Sequence, residues 1–298
     1  MKILLLGKNG QIGHELQTSL LTIGNVAGIG RQQMDLNHLD LLKEQLNLLK
    51  PEIVVNAAAY TQVDQAESEI EKVVALNSTM VKVLAEYCKK QNAMLVHYST
   101  DYVFDGLKQQ PYNETDQPNP INQYGMSKYL GEQHIISSDC RFLILRTSWV
   151  YSDHGHNFVK KIISLAQERD QLKIVSDQWG APTSARMIAD TTTLILSHVI
   201  NNPSLNGLYH LTAAGETSWY HLASYVLEKL TKAGVSFRAS SRQVTPITTE
   251  EYPSPAKRPK NSRLNNDKIE KTFGLQLPDW RVYLDQTLSK LIKHENKE

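Results

Sequence analysis

The chain opens on a short apolar run, Ile3-Leu4-Leu5-Leu6, that passes straight into glycines spaced three apart at Gly7, Gly10 and Gly13. An apolar strand, a glycine turn and a helix in that order predict the first βα unit of an open parallel sheet. Its glycines allow a tight turn and let a pyrophosphate approach the helix N-terminal amides. The spacing is Gly-x-x-Gly-x-x-Gly, not the commoner Gly-x-Gly-x-x-Gly, and by itself also suits a strand-turn-helix without a ligand. Further β-rich runs at 25–29, 53–58, 94–98 and 142–149 alternate with helical patterns, as expected for a parallel sheet covered on both faces. One long helix is predicted over 67–90, where Val73, Val74, Leu76, Met80, Val83, Leu84 and Tyr87 make a broad apolar face.

The expected fold class is therefore α/β, a Rossmann-type doubly wound parallel sheet with a smaller C-terminal α/β substrate-binding domain. Residues 1–151 are assigned to the dinucleotide-binding domain and 152–298 mainly to the substrate domain, with some segments returning to the first. Beyond residue 151 the rhythm loosens and prolines at 182, 203, 246, 253, 255 and 259 divide the chain into shorter elements. Ligands of such sheets lie beyond the carboxyl ends of the strands, so the second half is expected to cover that edge. The Pro-, Asn- and Asp-rich stretch 106–122 reads as a surface loop bordering the site.

Charge narrows the partners. The 32 basic residues nearly balance the 31 acidic ones, giving +1, which leaves no global field for nucleic acid or a membrane surface. The first apolar run is too short for a signal core or a membrane span. Two cysteines, Cys88 and Cys140, form neither a disulfide framework nor a metal spacing, and the cytoplasm is the expected compartment. His154 and His156 lack an accompanying acid or cysteine cluster and read as loop residues.

The chemistry concentrates at Tyr124 and Lys128. Four residues apart, they share one face of a helix, and they follow Ser99-Thr100-Asp101 at the end of the fourth predicted strand. Reduction of a ketone by hydride builds charge on oxygen, and a positioned proton donor contributes about 10²–10⁴-fold to the rate. Tyr124 is the candidate donor. Its reference pKa is about 10, so a neighbouring cation is expected to lower it, and Lys128 is the candidate cation, with donors left over for the nicotinamide ribose. Thr100 supplies a second donor to the same oxygen. After the second strand the chain reads Gly30-Arg31 with no acid, so Arg31 is expected to accommodate a ribose 2′-phosphate and NADPH is preferred, with NADH the alternative. Asp35 and Leu36 are placed to border adenine, although Asp35 also suits a helix N-cap. The small side chains of Ala57, Ala58 and Ala59 let a cofactor lie against the sheet edge.

These motifs, with Asn56-Ala57-Ala58-Ala59-Tyr60-Thr61-x-Val63-Asp64-x-Ala66-Glu67, Ser99-Thr100-Asp101-Tyr102-Val103-Phe104-Asp105-Gly106, Leu145-Arg146-Thr147-Ser148-Trp149-Val150-Tyr151 and Arg258-Pro259-x-Asn261-Ser262-x-Leu264, closely resemble the dTDP-4-dehydrorhamnose reductases of the extended short-chain dehydrogenase/reductase family. The likeness runs essentially end to end. It implies NAD(P)H-dependent reduction of dTDP-4-dehydro-6-deoxy-L-mannose to dTDP-L-rhamnose for surface polysaccharide synthesis. It also implies cofactor contacts at Gly10, Gln11, Ile12, Asp35, Leu36, Ala59, Tyr60, Thr61, Tyr98, Tyr124 and Lys128, and sugar-nucleotide contacts at Thr100, Asp101 and Trp149. A dTDP-sugar is the expected partner. Arg258 and Asn261, within a basic stretch, are expected to grip its diphosphate.

Some relatives carry an acid at the Gly30-Arg31 position, and some form homodimers with Mg²⁺ held by glutamates. Glu15 is present here, but Lys290 stands near where another acid would be needed, so no metal site is assigned. Dehydratases of the same fold typically place Asp-Glu after the threonine, where this chain has Asp101-Tyr102. A non-catalytic subunit like the regulatory one of methionine adenosyltransferase is a third reading, opposed by the intact Thr100, Tyr124 and Lys128.

Overall fold

The computed structural model describes residues 1–295, so the last three residues of the 152–298 segment lie outside it. The first half contains β1 (Lys2–Leu6), α1 (Gln11–Ser19), β2 (Asn25–Ile29), α2 (Leu39–Leu49), β3 (Ile53–Asn56), α3 (Val63–Ala66), α4 (Ile70–Val74), α5 (Met80–Gln91), β4 (Met94–Thr100), α6 (Gln123–Ser138) and β5 (Arg141–Thr147). The second half contains β6 (Val150–Tyr151), α7 (Phe158–Glu168), β7 (Leu172–Val175), β8 (Trp179–Gly180), β9 (Thr183–Ser184), α8 (Ala185–Asn201), β10 (Gly207–His210), β11 (Thr217–Ser218), α9 (Trp219–Lys232), β12 (Val244–Ile247), α10 (Asp267–Phe273) and α11 (Trp280–Glu295).

Six strands form one parallel sheet in the order β10-β5-β4-β3-β1-β2. The apolar runs are long because both faces are buried. Alternation within β1 shows it: Ile3 and Leu5 pack with α1 and α8 through Leu16, Ile188 and Leu196, while Leu4 and Leu6 pack with α2 and α5 through Leu42, Leu46, Val81 and Leu84. A separate small core, with Ile162, Leu172, Leu227 and Val244, ties α7 and α9 to the parallel pair β7 and β12.

The strand ends differ from the predicted ones for local reasons. β3 stops at Asn56, not at 58, because the Asn56 Oδ1 accepts the backbone N–H of Ala58 and turns the chain out of the sheet. β4 continues to Thr100, paired with Thr147. β5 ends at Thr147, two residues short of 149, since Trp149 takes a left-handed φ of 49° that no strand accommodates.

The single helix predicted over 67–90 is replaced by α4, a π-helical turn at 75–79 and α5. Apolar periodicity reads straight through such an insertion, which is why the pattern suggested one continuous helix. The π turn aims Asn77 inward. Its Oδ1 accepts from Tyr60 N at 2.8 Å, and its Nδ2 donates to Tyr60 O and to Ser127 Oγ, both at 3.0 Å, joining the turn after β3 to α6. Within 152–298, β10 completes the main sheet beside β5 and α8 covers the same face as α1.

Candidate active site

The cofactor side is built by close backbone approach. Gly7 sits at φ 79°, and a Cβ there would lie 2.7 Å from Ala58 N, while one on Gly13 would lie 2.1 Å from Gly7 O. Only bare backbone lets α1 begin so close to β1 and β3. Gly10 precedes α1 without a side-chain cap, so the first N–H groups of that helix have no side-chain acceptor at the N-cap and suit an anion. The turn faces a cleft of about 960 Å³ whose walls include Gly7, Gly10, Arg31, Asp35, Leu36, Ala57, Ala58, Ala59, Tyr60 and Thr61.

Arg31 is exposed at this cleft. Asp35 is not the N-cap of α2, a place taken by His38; its Oδ1 instead accepts from the backbone and side-chain nitrogens of Asn37. The Tyr60 hydroxyl donates to Glu69 at 2.6 Å, which pushes its pKa up to about 12. Gln11 leaves the cleft to bind the other half of the chain, accepting from Asn157 Nδ2 at 2.9 Å and donating to Val150 O at 3.4 Å. Ile12 and Gly13 pack beneath the turn.

The reaction side is built from buried side chains at the ends of β3 and β4 and the first turns of α6. Asn122 caps α6 by accepting from Gly125 N at 2.8 Å, and Glu67 accepts the next free donor, Gln123 N, at 2.8 Å. A Cβ on Gly125 would lie 2.1 Å from Tyr102 O, so this glycine lets the first turn press against the segment after β4. Tyr124 is thereby set edge-on to Tyr102, ring centroids 5.7 Å apart, and beside Thr100.

The side chains around Tyr124 do not supply the expected acidification. Burial raises its pKa above the ordinary phenol value and Asp101 adds to the rise, with only the Thr100 hydroxyl working the other way. Lys128 is engaged elsewhere: its Nζ donates to Tyr98 O at 2.6 Å and lies 3.2 Å from His97 Nε2. Burial in turn pulls the Lys128 pKa down to about 8.

Thr100 Oγ donates to Asp101 Oδ1 at 3.0 Å and accepts from Tyr102 N at 3.1 Å. Asp101 is buried and its Oδ2 has no partner among the described residues. Burial pushes its pKa up to about 7 against the opposing hydrogen bonds of Ser262 and Thr100. Tyr98 contributes a carbonyl, not a ring, to this region, because its phenol points into the layer under α8 and meets Thr192 Oγ at 2.9 Å.

Trp149 stacks on Trp219, centroids 3.5 Å apart and planes within 11°, which makes the pair a flat wall. Arg258 donates to Asp64 Oδ2 at 2.7 Å and keeps a buried Nη1 without a partner among the described residues. Asn261 departs from the expected diphosphate contact. Its Nδ2 donates to Lys108 O and Gln110 O, and its Oδ1 accepts from Arg263, so the amide is fully engaged in fastening the 106–122 loop.

Glu15 lies 3.5 Å from Arg186, Lys290 lies 3.2 Å from Asp153, and no group of three metal-binding side chains occurs among the described residues. His154 stacks on His14 at 4.1 Å.

Sequence reasoning missed several supports of this site. His97 reaches Lys128 with Asn56 behind it, Asn77 braces Tyr60, and Glu132 binds Arg146 through two bonds of 2.8 and 2.6 Å at the next turn of the Lys128 helix. Their one sequence signal is a polar residue inside an apolar strand or on the buried side of a helix.

The dTDP-4-dehydrorhamnose reductase of Escherichia coli (strain K12) is 42% identical over 295 residues, covering 98% of each chain. That of Burkholderia thailandensis is 44% identical over 285 residues, covering 94% of this chain and 96% of its own. Among solved structures, a dTDP-4-dehydrorhamnose reductase from Clostridium acetobutylicum superposes with a TM-score of 0.89 at 37% identity, covering 98% of this chain and 99% of its own. One from Bacillus anthracis, solved in complex with NADP, gives 0.85 at 32% identity with the same coverage. The family model described as RmlD substrate binding domain matches residues 1–293, and the chain belongs to that family.

Proposed function

We propose that this chain reduces the 4-keto group of dTDP-4-dehydro-6-deoxy-L-mannose to the alcohol of dTDP-L-rhamnose, using NADPH, in the supply of surface polysaccharide. The observation that carries it is the meeting of Tyr124 and Thr100 at the carboxyl end of β4, beside Lys128. The residues fit a dinucleotide: a Cβ on Gly7 or Gly13 would fill the turn, and the N-terminus of α1 opens onto it. NADPH supplies the hydride.

The chain's own residues do the rest. Thr100 and Tyr124 hold the keto oxygen between two hydroxyl donors, and Tyr124 passes its proton to the oxygen as charge builds there. Lys128, on the same helix face, supplies the positive charge that makes this transfer easier once the site is filled. Trp149 and Trp219 wall the sugar, and the unpartnered Nη1 of Arg258 offers a donor for a diphosphate oxygen. Gly7, Gly10, Arg31, Asp35, Leu36 and 57–61 form the cofactor's bed. Ile12 and Gly13 support it from beneath, Gln11 offers it only the backbone of the first turn of α1, and Tyr98 reaches it only through the carbonyl that holds Lys128. Residues 1–151 thus bind the cofactor, and most of 152–298 closes over the sugar nucleotide. No helix of the described residues is long and apolar enough to cross a membrane. We place the reaction in the cytoplasm.

Simple reduction is favoured over elimination of water because Tyr102, not an acid, follows Asp101. The test is incubation with dTDP-glucose and the enzymes that dehydrate and epimerise it, following NADPH absorbance and identifying the sugar nucleotide formed. Loss of absorbance that requires every component, with dTDP-L-rhamnose as product, is expected; unchanged absorbance would overturn the assignment.

A further inference from the structure

Beneath the reaction site a chain of hydrogen bonds runs from the turn after β3 to the amine of Lys128, through residues that the proposed mechanism does not use. Ala58 N donates to Asn56 Oδ1 at 3.2 Å, Asn56 Nδ2 meets His97 Nδ1 at 3.1 Å, and His97 Nε2 meets Lys128 Nζ at 3.2 Å. Lys128 Nζ then donates to Tyr98 O at 2.6 Å. Exposure of Asn56, His97 and Lys128 is 1%, 0% and 2%, so no water competes for these positions.

The direction of every bond follows from its first member. A backbone N–H can only donate, which fixes the Asn56 carbonyl toward Ala58 and its NH₂ toward His97. Facing a donor, His97 Nδ1 must be bare, and the imidazole carries its hydrogen on Nε2. That N–H points at Lys128. An ammonium would oppose donor to donor at 3.2 Å, whereas a free amine has a lone pair to accept.

We infer that His97 is a positioning residue whose Nε2–H, oriented by Asn56, favours the free-amine form of Lys128 before NADPH binds, so that this lysine gives up its proton more readily than it does with the cofactor in place. Binding of NADPH is then coupled to uptake of a proton from solvent, which converts Lys128 to the ammonium form as it turns toward the ribose. The inference rests on the proposed reading of Lys128 as a cofactor contact.

The charged surroundings are consistent with it. The charged neighbours that act on the pair are each other and Glu132, one turn later on α6, with Tyr124 one turn earlier and Asp101 beside Tyr124. Glu132, which favours the ammonium, is committed to Arg146. Burial dominates, lowering Lys128 to about 8 and holding His97 well below its ordinary value. The sign follows: well below that value Lys128 is protonated before and after binding, so uptake is small. Above it, uptake approaches about one proton per site, and NADPH affinity falls as pH rises.

Two measurements test this. In the cofactor-free protein labelled with ¹⁵N-histidine, the His97 signals, assigned by their loss in His97→Gln, should show a protonated Nε2 and a bare Nδ1 at pH 9. The reverse tautomer would overturn the inference, whatever the fate of the proposed activity. Calorimetry of NADPH binding in buffers of different ionisation enthalpy should show uptake rising between pH 7 and pH 9. Asn56→Asp keeps the Ala58 contact but makes the residue an acceptor from Nδ1–H, which leaves Nε2 free to accept from an ammonium. The uptake should then begin at a pH higher by about one unit or more, a tenfold change in proton affinity. Identical uptake curves for the two proteins would refute the coupling. Failure of the wild-type protein to bind NADPH would instead remove the reading of Lys128 on which the coupling rests.

Discussion

The cleft beside the glycine turn is lined by backbone, alanines and partly exposed polar side chains, whereas Lys128 on α6, His97 in β4 and Asp101 just after it are almost wholly buried. The first region recognises by shape: what it excludes is a Cβ, as the 2.1 and 2.7 Å approaches at Gly13 and Gly7 show. The second works by proton affinity, and burial has moved Lys128 down, Asp101 up and Tyr124 up together. A cleft of shape can bind a cofactor with little cost to folding. A buried set of titratable groups stores its chemistry at the expense of stability.

The largest effect separating the two regions should come from Tyr124→Phe. Turnover is expected to fall about 10²–10⁴-fold, because the proton donor is lost, while the dissociation constant for NADPH and the melting temperature stay close to wild type. Activity within a few-fold of wild type would erase the distinction between binding and chemistry drawn here. Next comes Glu132→Gln, which acts on the buried region only. It leaves the Arg146 guanidinium, 2% exposed and already carrying one unpartnered nitrogen, without its counter-charge. A cost of about 3–5 kcal/mol is expected in denaturant unfolding. Replacing Arg146 by Met as well should recover part of it, and a double variant no more stable than Glu132→Gln would argue against a charge effect.

Asp101 gives the buried region its pH dependence. Its folded pKa, pushed up to about 7, lies above the value near 3.9 expected when unfolded. The folded state therefore holds the proton longer. Stability contributed by this group is present below about pH 4 and is lost as pH rises through 7. Asp101→Asn should be more stable than wild type at pH 8 by on the order of 1–3 kcal/mol, with the difference vanishing near pH 4. Unfolding curves that keep a constant offset between the two proteins at both pH values would contradict this assignment.

What could be read from sequence divides along the same line. β1 to β5 announce themselves because strands covered on both faces are mostly apolar, and the glycine turn because a missing Cβ is written directly in the chain. Tyr124, Lys128 and Thr100 were legible as a spacing. Their proton affinities were not: Lys128 meets Tyr98 O and His97, and no count of residues places a carbonyl from β4 at its amine. Asn261 looked like a ligand because it sits in a family-like motif within a basic stretch, yet its amide is consumed by two carbonyls some 150 residues earlier in the chain. β10 has only four residues and joins the sheet by pairing with β5, a partner set by long-range packing. The π turn at 75–79 escaped because an apolar stripe tolerates one extra residue without losing its face.

The finest test lies at the rim of the shape-recognising cleft. Arg31 stands exposed after β2, close to Gly30 and across from the glycine turn, and no acid occupies that strand end to bind a ribose 2′-hydroxyl. A guanidinium there would meet the 2′-phosphate that distinguishes NADPH from NADH, in a partly solvated setting where one ion pair contributes about 1 kcal/mol. Arg31→Ala should therefore weaken NADPH by about fivefold, since 1.4 kcal/mol corresponds to one decade, and leave NADH nearly unchanged. The loss should shrink at high salt, because an exposed contact is screened. Equal efficiencies with both cofactors in the wild-type protein, unaltered by the substitution, would show that selection lies in the cleft's shape and not in this charge.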